Sequence, residues 1–322
     1  MHSPSELLKH VEKVINETTY PAHPASLYEP ISYIMNLGGK RLRPIMLLMS
    51  AELFDGDIGA AVPAAMAIET FHNFTLIHDD IMDNAPLRRG QQTVHEKWDN
   101  NTAILSGDVM MVEANKHITQ VHVSILKPAL DTFNATAQGV CEGQQLDMEF
   151  EKRDNVSIEE YINMIRLKTA VLVGGAMKLG AITANATAED ADLIYQFGEN
   201  LGIAFQLQDD ILDVYGDPEK FGKQVGGDII SNKKTYLRLK LQELASEVHL
   251  HELNEQTVNE DYNNKVSNIT DLYNQYEVKE QATMLMKKYL ENAFFALEMI
   301  TVPDENKEEL VRLANMLMNR EY

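Results

Sequence analysis

Basic side chains are scarce in this chain. Its 322 residues hold 28 Lys and Arg against 49 Asp and Glu, a formal net charge of −21. Such a field repels nucleic acid and anionic membrane surfaces, and it obliges any anionic substrate to find a local basic pocket. Cysteine is nearly absent. Cys141 is the one thiol, so no internal disulfide can form, which fits a reducing, cytoplasmic compartment. The opening MHSPSELLKHVEKV has no signal-peptide pattern. The longest apolar stretch, near Ala170 to Ala186, is broken by Lys178 and several glycines, so no stable membrane insertion is expected. Alternating β-branched runs are few. No proline lies between Pro218 and Pro303, which permits long uninterrupted helices there. No Gly/Ser linker or composition shift divides the chain, so 1–322 reads as a single domain.

What is present is helical. Ala, Leu, Met, Glu and Gln dominate, with apolar residues at helical spacing. SELLKHVEKVIN predicts a helix capped by Ser3 or Ser5. PIMLLMSAELF places a proline in a first helical turn. AVPAAMAIETFHNFTLIHDDIMD reads as one long helix. Ser157 opens a capping box, S-I-E-E, ahead of a helical run to Ile182, and Thr187 repeats the device in T-A-E-D. HLHELNEQTVNEDYNNKV reads as a surface turn between helices. The fold class is all-α, a single large helical bundle packed lengthwise around a common core.

Two acidic clusters share one pattern. HDDIMD carries Asp79, Asp80 and Asp83, and QDDILD carries Asp209, Asp210 and Asp213. Each is D-D-x-x-D, so its first and last aspartates share a helix face. Each ends an apolar helix, where acidic charge opposes the macrodipole. A lone triplet is best read as a solvated helix end. Two such unfavourable placements point instead to a compensating cation. Mg²⁺ takes a few carboxylates plus substrate phosphates, so a pair of such helix ends can clamp metal ions that bridge to a diphosphate.

The few cations gather near these carboxylates in sequence. LGGKRLRP concentrates Lys40, Arg41 and Arg43 behind a Gly-Gly turn, where backbone can approach an anion and Arg can grip phosphate oxygens. Arg88 and Arg89 follow the first cluster, Lys168-Thr169 lies between the clusters, and Lys223 and Asn232-Lys233-Lys234-Thr235 follow the second. The combination implies two phosphorylated substrates, one held through metal and one by direct salt bridges.

With these residues in view, the chain closely resembles the trans-isoprenyl diphosphate synthases, or polyprenyl synthetase family. GGKRLRP, LIHDDIMD with LRRG, KTA, FQLQDDILD, FGKQVGGD and NKKT occur in the family's order, spanning about Leu37 to Thr235. Asn232 stands where the family usually has glycine, and Phe221 where leucine is common; both changes leave the lysines in place. The resemblance implies an all-α bundle around a deep central cavity, paired as a homodimer. It implies Asp79, Asp83 and Asp209 as the main Mg²⁺ ligands, with three ions when substrate is bound, and Asp80, Asp210 and Asp213 in support. An allylic diphosphate would also meet Arg88, Lys168, Lys223 and Lys233. Isopentenyl diphosphate would be held without metal by Lys40, Arg43, His72 and Arg89. Thr169 and Gln206 would place neutral oxygen dipoles near an allylic carbocation.

Product length is read from the helix before the first cluster. Phe74, five residues before Asp79, is bulky, and the next position is the small Thr75. In this family a large aromatic there goes with short products. The pattern resembles enzymes making the C20 product, with C15 close behind. Three other readings stand beside this one. A terpene cyclase needs no second diphosphate site, so GGKRLRP and LRRG argue against it. A non-catalytic partner subunit would typically lose its acidic clusters. A ferritin-type metal bundle would want Glu-x-x-His pairs, and no convincing set is present.

Overall fold

The computed structural model describes residues 1–217, 225–259 and 261–319. The chain is all-α, as its composition predicts; the one β element among the described residues is a two-residue-per-strand hairpin. Packing groups it into two compact units. The first comprises Met1–Ala137, Gly175–Tyr195 and Ile300–Glu309. The second comprises the described residues within 138–174, 196–299 and 310–319.

The first unit is built on α4 (Ile58–Met82), the long helix expected from the apolar run before HDDIMD. Its Ala61, Ala64, Ala65, Ala67, Ile68 and Phe71 are all buried, and the small side chains let neighbouring helices come close. α3 (Leu42–Leu53) and α6 (Asn100–Ile118) pack on it. α1 (Pro4–Glu17) begins with Ser3 in a full capping box with Glu6, so Ser3 rather than Ser5 is the cap. α2 (Ala25–Met35) is held to α6 by Ser106 Oγ donating to the Leu27 carbonyl at 2.9 Å. Each fully buried Leu or Ile here stabilises the unit by about 2 kcal/mol relative to exposure.

In the second unit, α8 (Ile158–Ile165) starts at Ser157 with the expected capping box to Glu160. The run does not continue as one regular helix. Arg166–Ala170 forms a π-helical turn before α9 (Val171–Thr183). Most of α9 and the start of α10 (Ala188–Tyr215) belong to the first unit, where the Thr187 hydroxyl accepts from the Asp190 N–H at 3.1 Å; α10 belongs to the second unit from Gln196 on. The proline-free stretch after Pro218 is not continuous helix either. It divides into α11 (Gly227–Ile230), α12 (Tyr236–Leu244), α13 (Glu247–Gln256), α14 (Tyr262–Gln275) and α15 (Val278–Met299). Side-chain caps at Ser246 and Asp261 restart helices without any proline. HLHELNEQ is therefore helix α13, and the surface turn is confined to the residues after it. Ile203, Leu207, Ile211, Leu237, Ile269 and Leu272 are in the core of this unit. Among the described residues no helix is long and apolar enough to cross a membrane.

Candidate active site

In the first unit, the D-D-x-x-D pattern ends α4 with its three carboxylates in different environments. Asp79 is partly exposed and Asp83, the C-cap residue, is exposed. Asp80 turns inward and is buried. Arg88 Nε reaches both of its oxygens, at 2.9 and 2.8 Å, and Arg88 Nη2 lies 2.7 Å from Oδ1. Burial pushes the Asp80 carboxyl above its usual range, and the Arg88 hydrogen bonds oppose that. Arg88 Nη2 also lies 3.9 Å from Asp79.

A hairpin separates the two arginines. Strands β1 (Leu87–Arg88) and β2 (Gln91–Gln92) pair Arg88 with Gln91. The two residues between them, Arg89 and Gly90, have φ of 53° and 75°, the left-handed pair a tight hairpin turn requires. Arg88 is thus directed to the aspartates. Arg89 donates instead to the Gly38 carbonyl in the GGKRLR loop. Gly39, at φ 133°, holds a conformation that side chains disfavour, and the Arg89 guanidinium lies where its Cβ would be.

That loop and the first turn of α3 carry the expected cations. Lys40 is exposed at its tip. Arg43 Nη1 lies 3.1 Å from His72 Nε2. Guanidinium only donates, so Nε2 accepts and the imidazole proton is assigned to Nδ1. Burial lowers the Arg43 guanidinium from its ordinary value, with Glu69 opposing and Arg89 adding to the fall. Burial holds His72 well below the usual imidazole range, and the charges on Arg43 and Arg89 push it further. His72 is therefore neutral at pH 7. An unfolded imidazole takes up its proton near pH 6.5. Between that value and the lower folded one the unfolded chain binds more protons, so stability falls as pH drops below about 6.5 and is unaffected by this group above it. His72→Gln is expected to weaken the acid loss of Tm measured between pH 5 and 8. A variant whose Tm tracks the wild type at every pH would show that His72 protonates normally in the folded chain.

In the second unit, the pattern repeats with the same division of roles. Asp209 and Asp213 are partly exposed, and the middle carboxylate, Asp210, is buried. Tyr161 Oη donates to Asp210 Oδ2, Gln206 Nε2 to Oδ1 at 3.4 Å, and the Tyr236 N–H to Oδ2 at 3.4 Å. Burial pushes the Asp210 carboxyl up to about 8, with the Asp228 charge adding to the rise and these donors opposing it. Asp213 Oδ2 accepts from the Asp228 N–H at 3.0 Å. A pocket here is lined by Asp147, Lys168, Thr169, Gln206, Asp210 and Lys233, with Tyr161, Asp228 and Lys234 beside them.

Lys168 and Thr169 stand on the π-helical turn, a widened turn often found where a helix serves a site. Gly143 on α7 (Leu126–Lys152) allows this, because a Cβ there would lie 2.2 Å from the Lys168 nitrogen. Lys168 Nζ reaches Asp147 Oδ2 at 2.6 Å, and Thr169 Oγ1 lies 3.4 Å from Gln206 Oε1. Lys233 Nζ lies 3.9 Å from Asp228, and Lys234 Nζ donates to the Phe150 carbonyl at 2.6 Å. Lys223 lies outside the described residues.

Sequence reading missed Glu69, Asn73, Asp147, Tyr161 and Asp228. None forms a motif by spacing, although Asp228 closes the FGKQVGGD motif. Among the described residues no three His, Cys, Asp or Glu side chains gather closely enough to hold a metal ion unaided. The donor set still suits Mg²⁺, which is commonly bound by one or two carboxylates together with substrate phosphates. Asp79, Asp83, Asp209 and Asp213 are each at least partly exposed, while Asp80 and Asp210 are buried against Arg88 and Tyr161.

The paired carboxylate clusters and the basic loop mark an all-α protein equipped for diphosphates. The polyprenyl synthetase family model matches residues 24–276. A geranylgeranyl diphosphate synthase of Methanosarcina mazei is 36% identical, over 97% of this chain and 95% of its own. A solved geranylgeranyl pyrophosphate synthase superposes with a TM-score of 0.95 at 43% identity and covers 100% of both chains. Another, from Pyrococcus horikoshii Ot3, gives a TM-score of 0.90 at 34% identity over 98% of this chain and 96% of its own. The chain belongs to the polyprenyl synthetase family.

Proposed function

We propose that the protein is a Mg²⁺-dependent trans-prenyltransferase that condenses isopentenyl diphosphate head-to-tail with an allylic diphosphate, releasing diphosphate. The reading rests on near full-length similarity to geranylgeranyl diphosphate synthases. The observation that supports it most is the set of Arg43 against His72 and Arg89 against the glycine loop that carries Lys40, in the same unit as Asp79 and Asp83, since it offers a second diphosphate donors without metal. A terpene cyclase has no use for such a set of cations. A non-catalytic subunit has no use for two intact carboxylate clusters.

Asp79, Asp83 and Asp209 are the proposed magnesium ligands, with Asp80, Asp210 and Asp213 in support and three ions in the loaded site. Bound Mg²⁺ supplies charge neutralisation of the departing diphosphate. Arg88, Lys168, Lys223 and Lys233 bind the allylic diphosphate and stabilise the charge that develops on it. Lys40, Arg43, His72 and Arg89 hold isopentenyl diphosphate by direct hydrogen bonds. Neutral His72 donates none at Nε2 while Arg43 occupies it, so an arriving diphosphate competes for Arg43 and favours imidazole protonation. Thr169 and Gln206 direct oxygen dipoles at the allylic cation, which attract positive charge without trapping it. The double bond of isopentenyl diphosphate attacks that cation, and the proton lost afterwards passes to the departed diphosphate.

The main product is C20, with C15 the runner-up. The chain acts as one domain over 1–322, in the cytoplasm, as a homodimer; Ile104, Leu105 and Val112 on α6 expose apolar surface suited to a subunit contact. Purified protein incubated with Mg²⁺, isopentenyl diphosphate and each allylic starter in turn is expected to yield chromatographically resolved prenyl diphosphates of up to C20. EDTA is expected to stop product formation. Diphosphate release from an allylic substrate without isopentenyl diphosphate consumption would overturn the reading in favour of a cyclase.

A further inference from the structure

The GGKRLR loop carries a buried ion pair that the proposed chemistry does not use. Arg41 stands just before α3 with φ of 45°, a left-handed conformation that a non-glycine residue seldom adopts. Its guanidinium turns away from solvent and donates to Glu69 Oε1 and to the Met35 carbonyl at the end of α2. The Arg41 and Glu69 side chains are 3% and 2% exposed. Asn73, one turn further along α4, donates to Glu69 Oε1 at 2.9 Å and to its carbonyl at 2.8 Å, which fixes the carboxylate.

The placement of these groups gives the pair a task. His72 is three residues after Glu69 on α4, and Arg43, two after Arg41, is in the first turn of α3. One stretch of α4 therefore presents two anchors to the end of the loop and the start of α3: Glu69 to Arg41 and His72 to Arg43. Between the end of α2 and Arg41 lie Gly38 and Gly39, with φ of 77° and 133°. Such glycines have wide conformational freedom, so the loop needs an external pin. Arg41 supplies it by joining the last turn of α2 to α4. A hydrophobic pair of equal size would stabilise the fold as well as a buried ion pair does, but it would not fix direction. We propose that Glu69, acting through Arg41, is a positioning residue that holds Lys40 and Arg43 in register for the metal-free diphosphate. The inference rests on the reading of Lys40, Arg43, His72 and Arg89 as the isopentenyl diphosphate site.

The test separates the two substrates. Glu69→Gln is expected to raise KM for isopentenyl diphosphate at least tenfold, while KM for the allylic diphosphate and kcat at saturation stay within about twofold. Glu69→Gln leaves a buried guanidinium without its counter-charge, so the double exchange Arg41→Met/Glu69→Leu, which removes both charges together, is measured beside it. The double variant is expected to keep its circular dichroism and Tm yet raise KM for isopentenyl diphosphate at least fivefold. A folded double variant with wild-type KM for isopentenyl diphosphate overturns the proposal, as does an equal rise in both KM values. Arg43→Ala tests the underlying reading. If it leaves KM for isopentenyl diphosphate unchanged, the site assignment fails; if it raises KM while the Glu69 variants do not, the positioning role alone fails.

Discussion

Asp79→Ala is expected to lower kcat/KM by about a thousandfold or more while leaving Tm within a few degrees of the wild type, a loss of roughly 4 kcal/mol of transition-state stabilisation. The fold does not need this carboxylate. It sits in the last turn of α4, partly exposed, where the macrodipole disfavours negative charge, so removing it is close to neutral for stability. Its neighbour provides the contrast. Asp80 is buried and takes Arg88 on both oxygens, so Asp80→Ala strands a guanidinium beside an emptied space and is expected to lower Tm as well as turnover. Adjacent aspartates thus separate by readout: activity alone for Asp79, activity and stability for Asp80. Turnover by Asp79→Ala near the wild-type rate in saturating Mg²⁺ would sink the metal-ligand assignment.

How much of this was legible in the sequence depends on whether a residue acts through spacing or through contact. The helix leading to HDDIMD, the Ser157 capping box and the start at Thr187 follow local rules, and each stands where the pattern puts it. The repetition of D-D-x-x-D was also visible, and with it the idea of two related sites. What spacing concealed was the unequal use of each triplet. On paper Asp79, Asp80 and Asp83 are alike; in the fold the middle one faces inward in both clusters, toward Arg88 in one and Tyr161 in the other. Tyr161 is 49 residues from Asp210, and nothing local announces the pairing. The π-helical turn at Lys168 escaped for a different reason. Its residues keep helical propensity, and the widening is matched by a glycine 25 residues upstream, Gly143, that lets α7 come close. Glu69 was hidden in plain view. A single acid inside an apolar helix reads as an exception until Arg41 is seen beneath it. Even the arginines after the first cluster behave less simply than their adjacency suggests, because the Arg89-Gly90 turn sends one to the aspartates and the other to the glycine loop.

Phe74→Ala is expected to lengthen the product by one or two isoprene units, read as a shift of the radiolabelled chain-length distribution beyond that of the wild type. Phe74 lies five residues before Asp79 on α4, so its ring is more than one turn along the helix from the carboxylates. Its ring packs edge-on to His78 at 4.8 Å between centroids and against Phe71 at 5.6 Å. Phe71 in turn meets Phe133 edge-on at 5.7 Å and is fully buried. These contacts form a ladder of rings, and they set both the direction and the limit of the effect. Removing Phe74 deletes the ring between His78 and Phe71 and leaves Phe71 as the next obstacle, so growth extends and then stops again. Phe74 is only half-buried, so the substitution costs less than the 3–5 kcal/mol typical of a fully buried Phe→Ala, and the variant is expected to fold. The next residue, Thr75, spends its hydroxyl on the His72 carbonyl at 2.8 Å and adds no bulk of its own. An unchanged product distribution from a folded, active Phe74→Ala would remove Phe74 as the floor of the product site and reduce it to a packing partner of Phe71 and His78.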